Sequence, residues 1–354
     1  MPEHQTVVIR TSAPYSVAVG SGLLAQCGKH AAALSDCRRA AVITDSTVAP
    51  LYLDTVRESL LRAGLAVCVY VYPAGESSKN FVSLAGMLEF LAENRLTRTD
   101  CVAALGGGVC GDMAGFAAGC YLRGVRYLQL PTTLLAAVDS SVGGKTAVDL
   151  PQGKNLAGLF HQPSAVLCDT DCLRSLPEAE LSNGAAEAVK TGVLAGENLF
   201  ALLEHGFPAD WTPVIAQCVA CKGGVVEADP EERNLRRILN LGHTMGHAAE
   251  LCSEFTIPHG QAVAMGLACA ARASEKLGWA EAPVSARIVS ALKEFRLPTA
   301  PPFSARELAE AAQNDKKRVG DDVTLAVPVQ IGKCALKTIP AKQLESFFAA
   351  GMEG

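Results

Sequence analysis

The stretch CVAALGGGVCGDMAGFAAGC, residues 101–120, joins an apolar run, a glycine cluster and a segment of small residues. Residues 101–105 are typical of a buried strand, and Gly106, Gly108 and Gly111 have the spacing G-x-G-x-x-G where a helix-like segment begins. Glycines there let the backbone amides of a helix N-terminus approach a pyrophosphate. No acidic residue follows about twenty positions later to hold a ribose, so a purely structural turn remains the alternative.

Strand-like and helix-like segments alternate on both sides of this stretch. The predicted strands are residues 40–45, 66–73, 101–105, 127–130 and 165–169, and the predicted helices are 48–63 and 81–94. Such alternation predicts a parallel sheet with crossover helices. The sequence therefore predicts an α/β domain over residues 1–175.

The second half of the chain has a different pattern. Residues 178–314 consist of amphipathic segments rich in alanine, leucine and glutamate, which is typical of packed helices. Residues 323–329 and 333–339 predict a β-hairpin around Gln330, Ile331 and Gly332. We therefore expect a mainly helical domain over residues 176–354.

Composition narrows the class of protein. Of the 354 residues, 31 are lysine or arginine and 36 are aspartate or glutamate, so the formal net charge is −5. The longest basic run, Lys316-Lys317-Arg318, is too short to track a nucleic-acid backbone. No apolar run has the length of a signal-peptide core or a membrane span. These features predict a cytoplasmic globular enzyme without a nucleic-acid or membrane partner.

The 13 cysteines are odd in number, and most lie in apolar runs where a reduced thiol behaves as a small hydrophobic group. Cys218 and Cys221 form a C-x-x-C, but the pattern around them is helical and no second pair accompanies them. Neither a zinc site nor a redox site is therefore indicated, and we interpret the cysteines as structural.

A polar segment follows the predicted strand at 127–130. Its Gly-Gly-Lys-Thr run ends a P-loop motif, but the first glycine of that motif would fall at position 139, which is aspartate, so the P-loop interpretation fails. Functional side chains recur at close spacing in Asp139, Ser140, Ser141, Lys145, Lys154 and Asn155. The segment predicts a binding site, with a solvated turn as the alternative.

Three histidines in the helical half suggest a metal site. His243 and His247 are four residues apart and share a helix face, and His259 begins a later helical run. The threonine at position 244 excludes the H-E-x-x-H motif of metalloproteases. Histidines that cap helices or fill a core are the alternative.

A carboxylate and an ammonium lie upstream in an otherwise apolar stretch. Glu187 and Lys190 are three residues apart on a helix that we expect to begin at Asn183 as N-cap. Glu187 with two of the three histidines would give a metal three protein ligands and an open position, as in catalytic sites. A surface ion pair between Glu187 and Lys190 is the alternative.

Taken in order, these segments resemble the 3-dehydroquinate synthase family over residues 44–337. The blocks that carry the resemblance are GESSK from Gly75, GGGVCGDMAGFAA from Gly106, YLRGVRYLQLPTTLLAAVDSSVGGKTAVDLPQGKNLAG from Tyr121, GAAEAVKTG from Gly184, LNLGHTMGHAAE from Leu239, PHGQAVAMG from Pro258 and DKK from Asp315. The resemblance implies a Rossmann-like α/β domain that binds NAD, a helical domain that binds zinc or cobalt, an active site between them, and a homodimer.

The resemblance also assigns residues. It implies Glu187, His243 and His259 as metal ligands. It implies an NAD site of Asp45, Glu76, Lys79, Gly107, Gly108, Val109, Gly111, Asp112, Thr132, Thr133, Lys145, Lys154, Cys172, Leu173 and Ser175. It implies a substrate site of Arg123, Asp139, Lys145, Asn155, Lys190, Lys222, Arg236, Asn240, His247 and Lys316, where the cations suit a phosphate and a carboxylate.

The implied reaction belongs to the shikimate pathway and converts 3-deoxy-D-arabino-heptulosonate 7-phosphate to 3-dehydroquinate and inorganic phosphate. NAD is transiently reduced, phosphate is eliminated, the hydride returns, and the ring opens and closes by an aldol step. Four positions depart from the family pattern: Ala74, Asp149 and Leu150 stand where Asp, Asn and His are common, and Gln261 replaces a usual Glu. We expect Gln261 to affect metal affinity.

Other interpretations share parts of this pattern. Another sugar-phosphate cyclase, such as a 2-epi-5-epi-valiolone or 2-deoxy-scyllo-inosose synthase, would keep the fold, NAD and metal but alter the cation cluster. A metal-dependent polyol dehydrogenase would share the fold without the Gly-Gly-Lys-Thr and Lys-Asn segments. A catalytically silent relative would have lost a ligand or a cation, and none is missing from this sequence.

Overall fold

The computed structural model describes residues 4–232, 234–313 and 322–352. The chain forms two compact units, Met1–Leu176 and Pro177–Gly354, so the junction lies beside the boundary expected at 175/176. We describe each unit by itself.

The first unit alternates strands and helices in sequence. Its elements are β1 (Gln5–Ile9), β2 (Tyr15–Gly20), α1 (Cys27–Ala32), β3 (Arg39–Asp45), α2 (Ala49–Arg62), β4 (Ala66–Tyr72), α3 (Phe81–Glu93), β5 (Cys101–Gly106), α4 (Gly108–Cys120), β6 (Arg126–Pro131), β7 (Lys145–Leu150), β8 (Gly153–Phe160) and β9 (Ala165–Asp169). In the described part of this unit, seven strands form a sheet in the order β1-β2-β9-β6-β5-β3-β4. Among the described strands of this sheet, β1 and β2 are antiparallel, and the other neighbouring strands are parallel.

Both faces of this sheet are covered by helices. Along β3, Ala40 and Val42 pack in one core cluster with residues of α1 and α2. Ala41 and Ile43, which alternate with them, pack in a second cluster with residues of α3 and α4. This arrangement explains why the central strands are continuous apolar runs rather than alternating ones.

The strand order reverses between β3 and β5, because the chain leaves β3 for β4 on one side and returns to β5 on the other. At such a switch point the carboxyl ends of neighbouring strands leave a crevice where α/β proteins bind ligands. Asp45 ends β3 and Gly106 ends β5 at this edge. The glycine cluster singled out in the sequence therefore lies where this sheet can accept a ligand.

The second unit is mainly helical. Its elements are α5 (Glu178–Ala195), α6 (Glu197–Phe200), α7 (Thr212–Ala228), α8 (His243–Cys252), α9 (His259–Lys276), α10 (Ser285–Glu294), α11 (Ala305–Gln313), β10 (Asp322–Gln330), β11 (Lys333–Pro340) and α12 (Leu344–Met352). Helices α8, α9, α11 and α12 share a core with the β10–β11 hairpin. None of the described helices is both long and apolar enough to cross a membrane.

The predicted fold class, an α/β half followed by a mainly helical half, is confirmed. Two predictions from the sequence need correction. The polar segment that contains Lys145, Lys154 and Asn155, for which no strand was predicted and a solvated turn was the alternative, forms the antiparallel pair β7 and β8. Asn183 does not cap the helix that carries Glu187, because α5 already begins at Glu178 and Asn183 lies inside it.

Candidate active site

Helices α5 and α9 approach closely at a glycine. A Cβ atom at Gly260 would overlap the backbone carbonyl oxygen of Asn183, so no larger residue fits there. The side chain of Asn183 accepts a hydrogen bond from the backbone N–H of Gly260 at 2.5 Å. This contact satisfies an N–H at the start of α9, where helices leave their first donors unpaired. It also fixes His259, the first residue of α9, against α5, which carries Glu187.

A second close approach brings α8 to α9. A Cβ atom at Gly266 would overlap the carbonyl oxygen of Gly242, and Gly242 itself has φ +78°. His243 begins α8 directly after this glycine. As a result the rings of His243 and His259 lie 5.4 Å apart, centroid to centroid.

The three predicted metal ligands form one cluster. Glu187 Oε1 lies 3.4 Å from His243 Nε2 and 3.2 Å from His259 Nε2, and one ligand atom from each residue lies within 4.8 Å of the others. The Glu187 side chain is 0% exposed, and its Oε2 forms an ion pair of 2.5 Å with Lys190 Nζ. That pair lacks hydrogen-bond geometry, so Oε2 accepts no hydrogen bond from the residues that the structure describes.

The electrostatics of the cluster keep the Glu187 carboxylate ionised. Burial alone would raise the pKa of Glu187, but Lys190 and the two imidazoles outweigh it and hold that pKa well below its usual range. Burial lowers the pKa of His243 to about 4, against the attraction of Glu187. Against burial, Glu187 and Glu250 raise the pKa of His259 to about 10, so a metal must displace a proton from this ring.

These donors fit a divalent metal. One carboxylate and two imidazoles with open positions are the ligand set of catalytic zinc sites, and cobalt accepts the same donors. The Nδ1 of His243 donates to the carbonyl oxygen of Leu241 at 3.1 Å, which directs the Nε2 lone pair towards Glu187.

Glu250 belongs to this cluster and was not predicted from the sequence. Its Oε1 lies 3.5 Å from Nδ1 of His259, and the carboxylate is 7% exposed. His247, Glu250 and His259 form a second close group of possible donors. The signal was present, because Glu250 follows His247 by three residues and so shares its helix face. A carboxylate that contacts a ligating histidine orients its ring. We expect the usual Glu at position 261 to have this role, and Gln261 lacks its charge.

The other predicted substrate residues of this unit lie on neighbouring elements. Lys222 lies on α7 and is half-buried. Arg236 is 1% exposed and donates from its guanidinium to the carbonyl oxygen of Pro230 at 2.8 Å. Asn240 is half-buried and donates to Glu232 at 3.5 Å. Lys316 lies outside the described residues.

The first unit presents a helix N-terminus at its switch point. Helix α4 begins at Gly108 after Gly107, and no described side chain caps its first N–H groups. The predicted residues Val109, Gly111 and Asp112 follow in this helix. Uncapped N–H groups at the start of a helix of 13 residues are suited to a phosphate group, so this turn fits the pyrophosphate of NAD.

A buried lysine lies beside this helix. Lys79 is 5% exposed, and its Nζ donates to Asp112 Oδ2 and to Asn155 Oδ1, each at 2.6 Å. Glu76 is exposed in the preceding 3₁₀ turn, and Lys154 is half-buried on β8. The structure therefore joins two residues assigned to NAD with one assigned to substrate.

The remaining predicted residues of this unit occupy several places. Asp45 accepts hydrogen bonds from the N–H groups of Thr47 and Val48, Thr132 donates to the carbonyl of Gly106, and Thr133 accepts from Ala136. Cys172 and Leu173 are buried, and Ser175 contacts Tyr52.

Asp139 lies on a π-helical turn, Ala136–Ser140, and Lys145 begins β7. Arg123 is exposed, with φ +66°.

Comparison with solved structures defines the class of protein. The chain aligns with 2-epi-5-epi-valiolone synthase from Streptomyces hygroscopicus subsp. jinggangensis 5008, solved with NAD+ and Zn2+, at a TM-score of 0.86 and 28% identity, covering 98% of this chain and 99% of that chain. It aligns equally well, at 0.86 and 24% identity over 97% and 99% of the two chains, with 2-deoxy-scyllo-inosose synthase complexed with carbaglucose-6-phosphate, NAD+ and Co2+. The fold is therefore that of the sugar-phosphate cyclases.

Sequence comparison identifies the family within this class. The profile described as 3-dehydroquinate synthase N-terminal matches residues 69–183, and the C-terminal profile matches residues 184–318. The 3-dehydroquinate synthase of Symbiobacterium thermophilum is 44% identical over 333 residues, which cover 90% of this chain and 92% of that protein. The chain belongs to the 3-dehydroquinate synthase family, as its resemblance indicated.

Proposed function

We propose that the chain is a 3-dehydroquinate synthase, a phosphate lyase that converts 3-deoxy-D-arabino-heptulosonate 7-phosphate to 3-dehydroquinate and inorganic phosphate. The observation that carries the proposal is the cluster of Glu187, His243 and His259 beside Lys190, in a chain 44% identical to a 3-dehydroquinate synthase. We also propose the enzyme as a cytoplasmic homodimer.

NAD and one divalent metal are the proposed cofactors. NAD would bind the first unit at the N-terminus of α4, and zinc or cobalt would bind the second unit through Glu187, His243 and His259. Cyclases of the same fold were solved with NAD+ and Zn2+ or Co2+, which supports both assignments. When bound, the metal supplies Lewis acidity at a substrate hydroxyl, and NAD accepts and returns a hydride.

The chain's own residues bind and orient the substrate. Its phosphate and carboxylate need cations, which charge-assisted hydrogen bonds from arginine and lysine would supply. The proposed set for both groups is Arg123, Lys145, Lys190, Lys222, Arg236 and Lys316, with Asp139, Asn155, Asn240 and His247 at the hydroxyls. Holding the substrate in one geometry favours elimination and the final intramolecular closure.

The proposal is tested by phosphate release from 3-deoxy-D-arabino-heptulosonate 7-phosphate. We expect release that requires both NAD and metal, leaves no net NADH, and disappears in His259→Ala. His205, an exposed histidine of the same unit, supplies the control variant His205→Ala, which should retain activity. Absence of release from metal-loaded wild type would contradict the proposal, and turnover of sedoheptulose 7-phosphate instead would indicate a different cyclase.

A further inference from the structure

The β7–β8 hairpin contains an irregular stretch around Asp149. The strand register shifts between Val148 and Leu150, and on β8 Asn155 has φ +55°. A non-glycine residue adopts this left-handed conformation at an energetic cost, although asparagine tolerates it better than most. The conformation therefore needs contacts that hold it.

Asp149 supplies such contacts on both sides. Its Oδ1 accepts a hydrogen bond from the backbone N–H of Asn155 at 2.7 Å, and its own N–H donates to the carbonyl oxygen of Lys79 at 2.8 Å. The first bond fixes the backbone of Asn155 in its left-handed conformation. The second ties the hairpin to the segment that carries Lys79.

The side chain of Asn155 then completes a chain of contacts. Its Oδ1 accepts from Lys79 Nζ at 2.6 Å, and the same ammonium donates to Asp112 on α4 at 2.6 Å. An ammonium group only donates, so it fixes the orientation of the asparagine amide. The Nδ2 group of Asn155 is consequently what this side chain can offer a ligand, and it suits an acceptor oxygen.

We propose that Asp149 is a positioning residue that holds Asn155 on Lys79 and so orients the Nδ2 group of Asn155 towards an oxygen of the bound sugar phosphate. The inference rests on the proposed function, because Asn155 is a substrate residue only if the chain is a cyclase. It explains how aspartate serves at a position where asparagine is common. Either side chain presents an oxygen that accepts the N–H of Asn155.

The test is a double-mutant cycle on phosphate release with saturating NAD and metal. Asp149→Ala should lower kcat/KM about tenfold to a hundredfold, because it removes the carboxylate that accepts the backbone N–H of Asn155 and holds that residue in place. Asp149→Asn should recover most of the lost kcat/KM. In the Asn155→Ala background, Asp149→Ala should cause little further loss, because residues that act through one another are not additive. Gln152→Ala, exposed in the same hairpin turn, is the matched control.

Two kinetic outcomes overturn the inference: an Asp149→Ala variant as active as wild type, or losses that multiply in the double variant. Hydrogen exchange of the Asn155 amide provides a readout independent of catalysis, because it should accelerate in Asp149→Ala but not in Asp149→Asn. Unchanged exchange would also overturn the inference. An inactive wild type with accelerated exchange in Asp149→Ala would instead count against the proposed function and leave the contact established.

Discussion

At the scale of single residues, Glu187 is the side chain on which the second unit's cluster depends. Two imidazole nitrogens lie near one of its oxygens and an ammonium near the other, and the carboxylate is fully buried. A buried charge without partners destabilises a fold, so each neighbour offsets part of the burial. A carboxylate in this setting is kept ionised, which is the form that binds a metal.

Replacing Glu187 by glutamine tests this role. The amide keeps the volume but removes the charge, so Lys190 loses its ion pair and the metal loses its anionic ligand. We expect Glu187→Gln to lower metal affinity on the order of a hundredfold or more and to abolish phosphate release. Metal content by elemental analysis and affinity by chelator competition are the measurements. Glu281→Gln, which removes only an exposed pair with Lys333, should bind metal as wild type does.

Asp100 gives a pH-dependent prediction in the first unit. Burial opposes ionisation, but hydrogen bonds from Thr97, Arg38 and Arg39 hold the pKa of Asp100 below its usual value. A lowered pKa stabilises the fold above the unfolded-state value of about 4, and this stability is lost as pH falls through the folded-state pKa. Near neutral pH, the free energy of unfolding measured in urea should therefore be about 1–3 kcal/mol larger for wild type than for Asp100→Asn. A gap that stays constant down to acidic pH would contradict the assignment.

At the scale of elements, close helix approaches decide where the site forms. Gly260 lets α9 contact α5, and Gly266 lets α9 contact α8. The ligands come from three helices, and each approach is closer than a side chain would allow. Packing of the second unit and geometry of its cluster are therefore set by the same glycines.

Gly260→Ala should disturb both stability and the cluster. A methyl group would push α9 away from the carbonyl of Asn183, at a cost of about 2–3 kcal/mol, and would move His259 relative to Glu187. The free energy of unfolding and the metal affinity should both decrease. Gly224→Ala in α7 is the matched control, since a Cβ there meets nothing within 4 Å among the described atoms. It should be neutral or stabilise by up to about 1 kcal/mol, because alanine is the better helix former.

The sequence predicted the elements whose patterns are local. The apolar runs of β3, β5 and β9 and the helical period after Pro177 were sufficient for the fold class. The β7–β8 pair was missed because Asp149 and Asn155 interrupt its alternation with a register shift. Residue spacing favoured pairing His243 with His247, whereas the contact of His259 with Glu187 depends on a helix crossing that no local pattern encodes.

At the scale of the whole molecule, each unit has its own core and its own candidate binding residues. Lys79, Asp112 and the start of α4 belong to the first unit, and the Glu187 cluster belongs to the second. The backbone groups proposed for NAD and the side chains proposed for metal therefore depend on different hydrophobic clusters. Loss of one site need not destroy the other.

Separate losses of NAD and metal are the corresponding prediction. Gly107→Val adds a branched side chain at the uncapped start of α4, where a Cβ would already meet Thr133 at 3.0 Å, and should obstruct a pyrophosphate. Calorimetry should find NAD affinity reduced at least about tenfold, with metal content unchanged. Glu187→Gln should lower metal affinity and leave NAD affinity within about twofold of wild type. Loss of both ligands in either variant, with Gly224→Ala binding both normally, would mean that the two sites do not form independently.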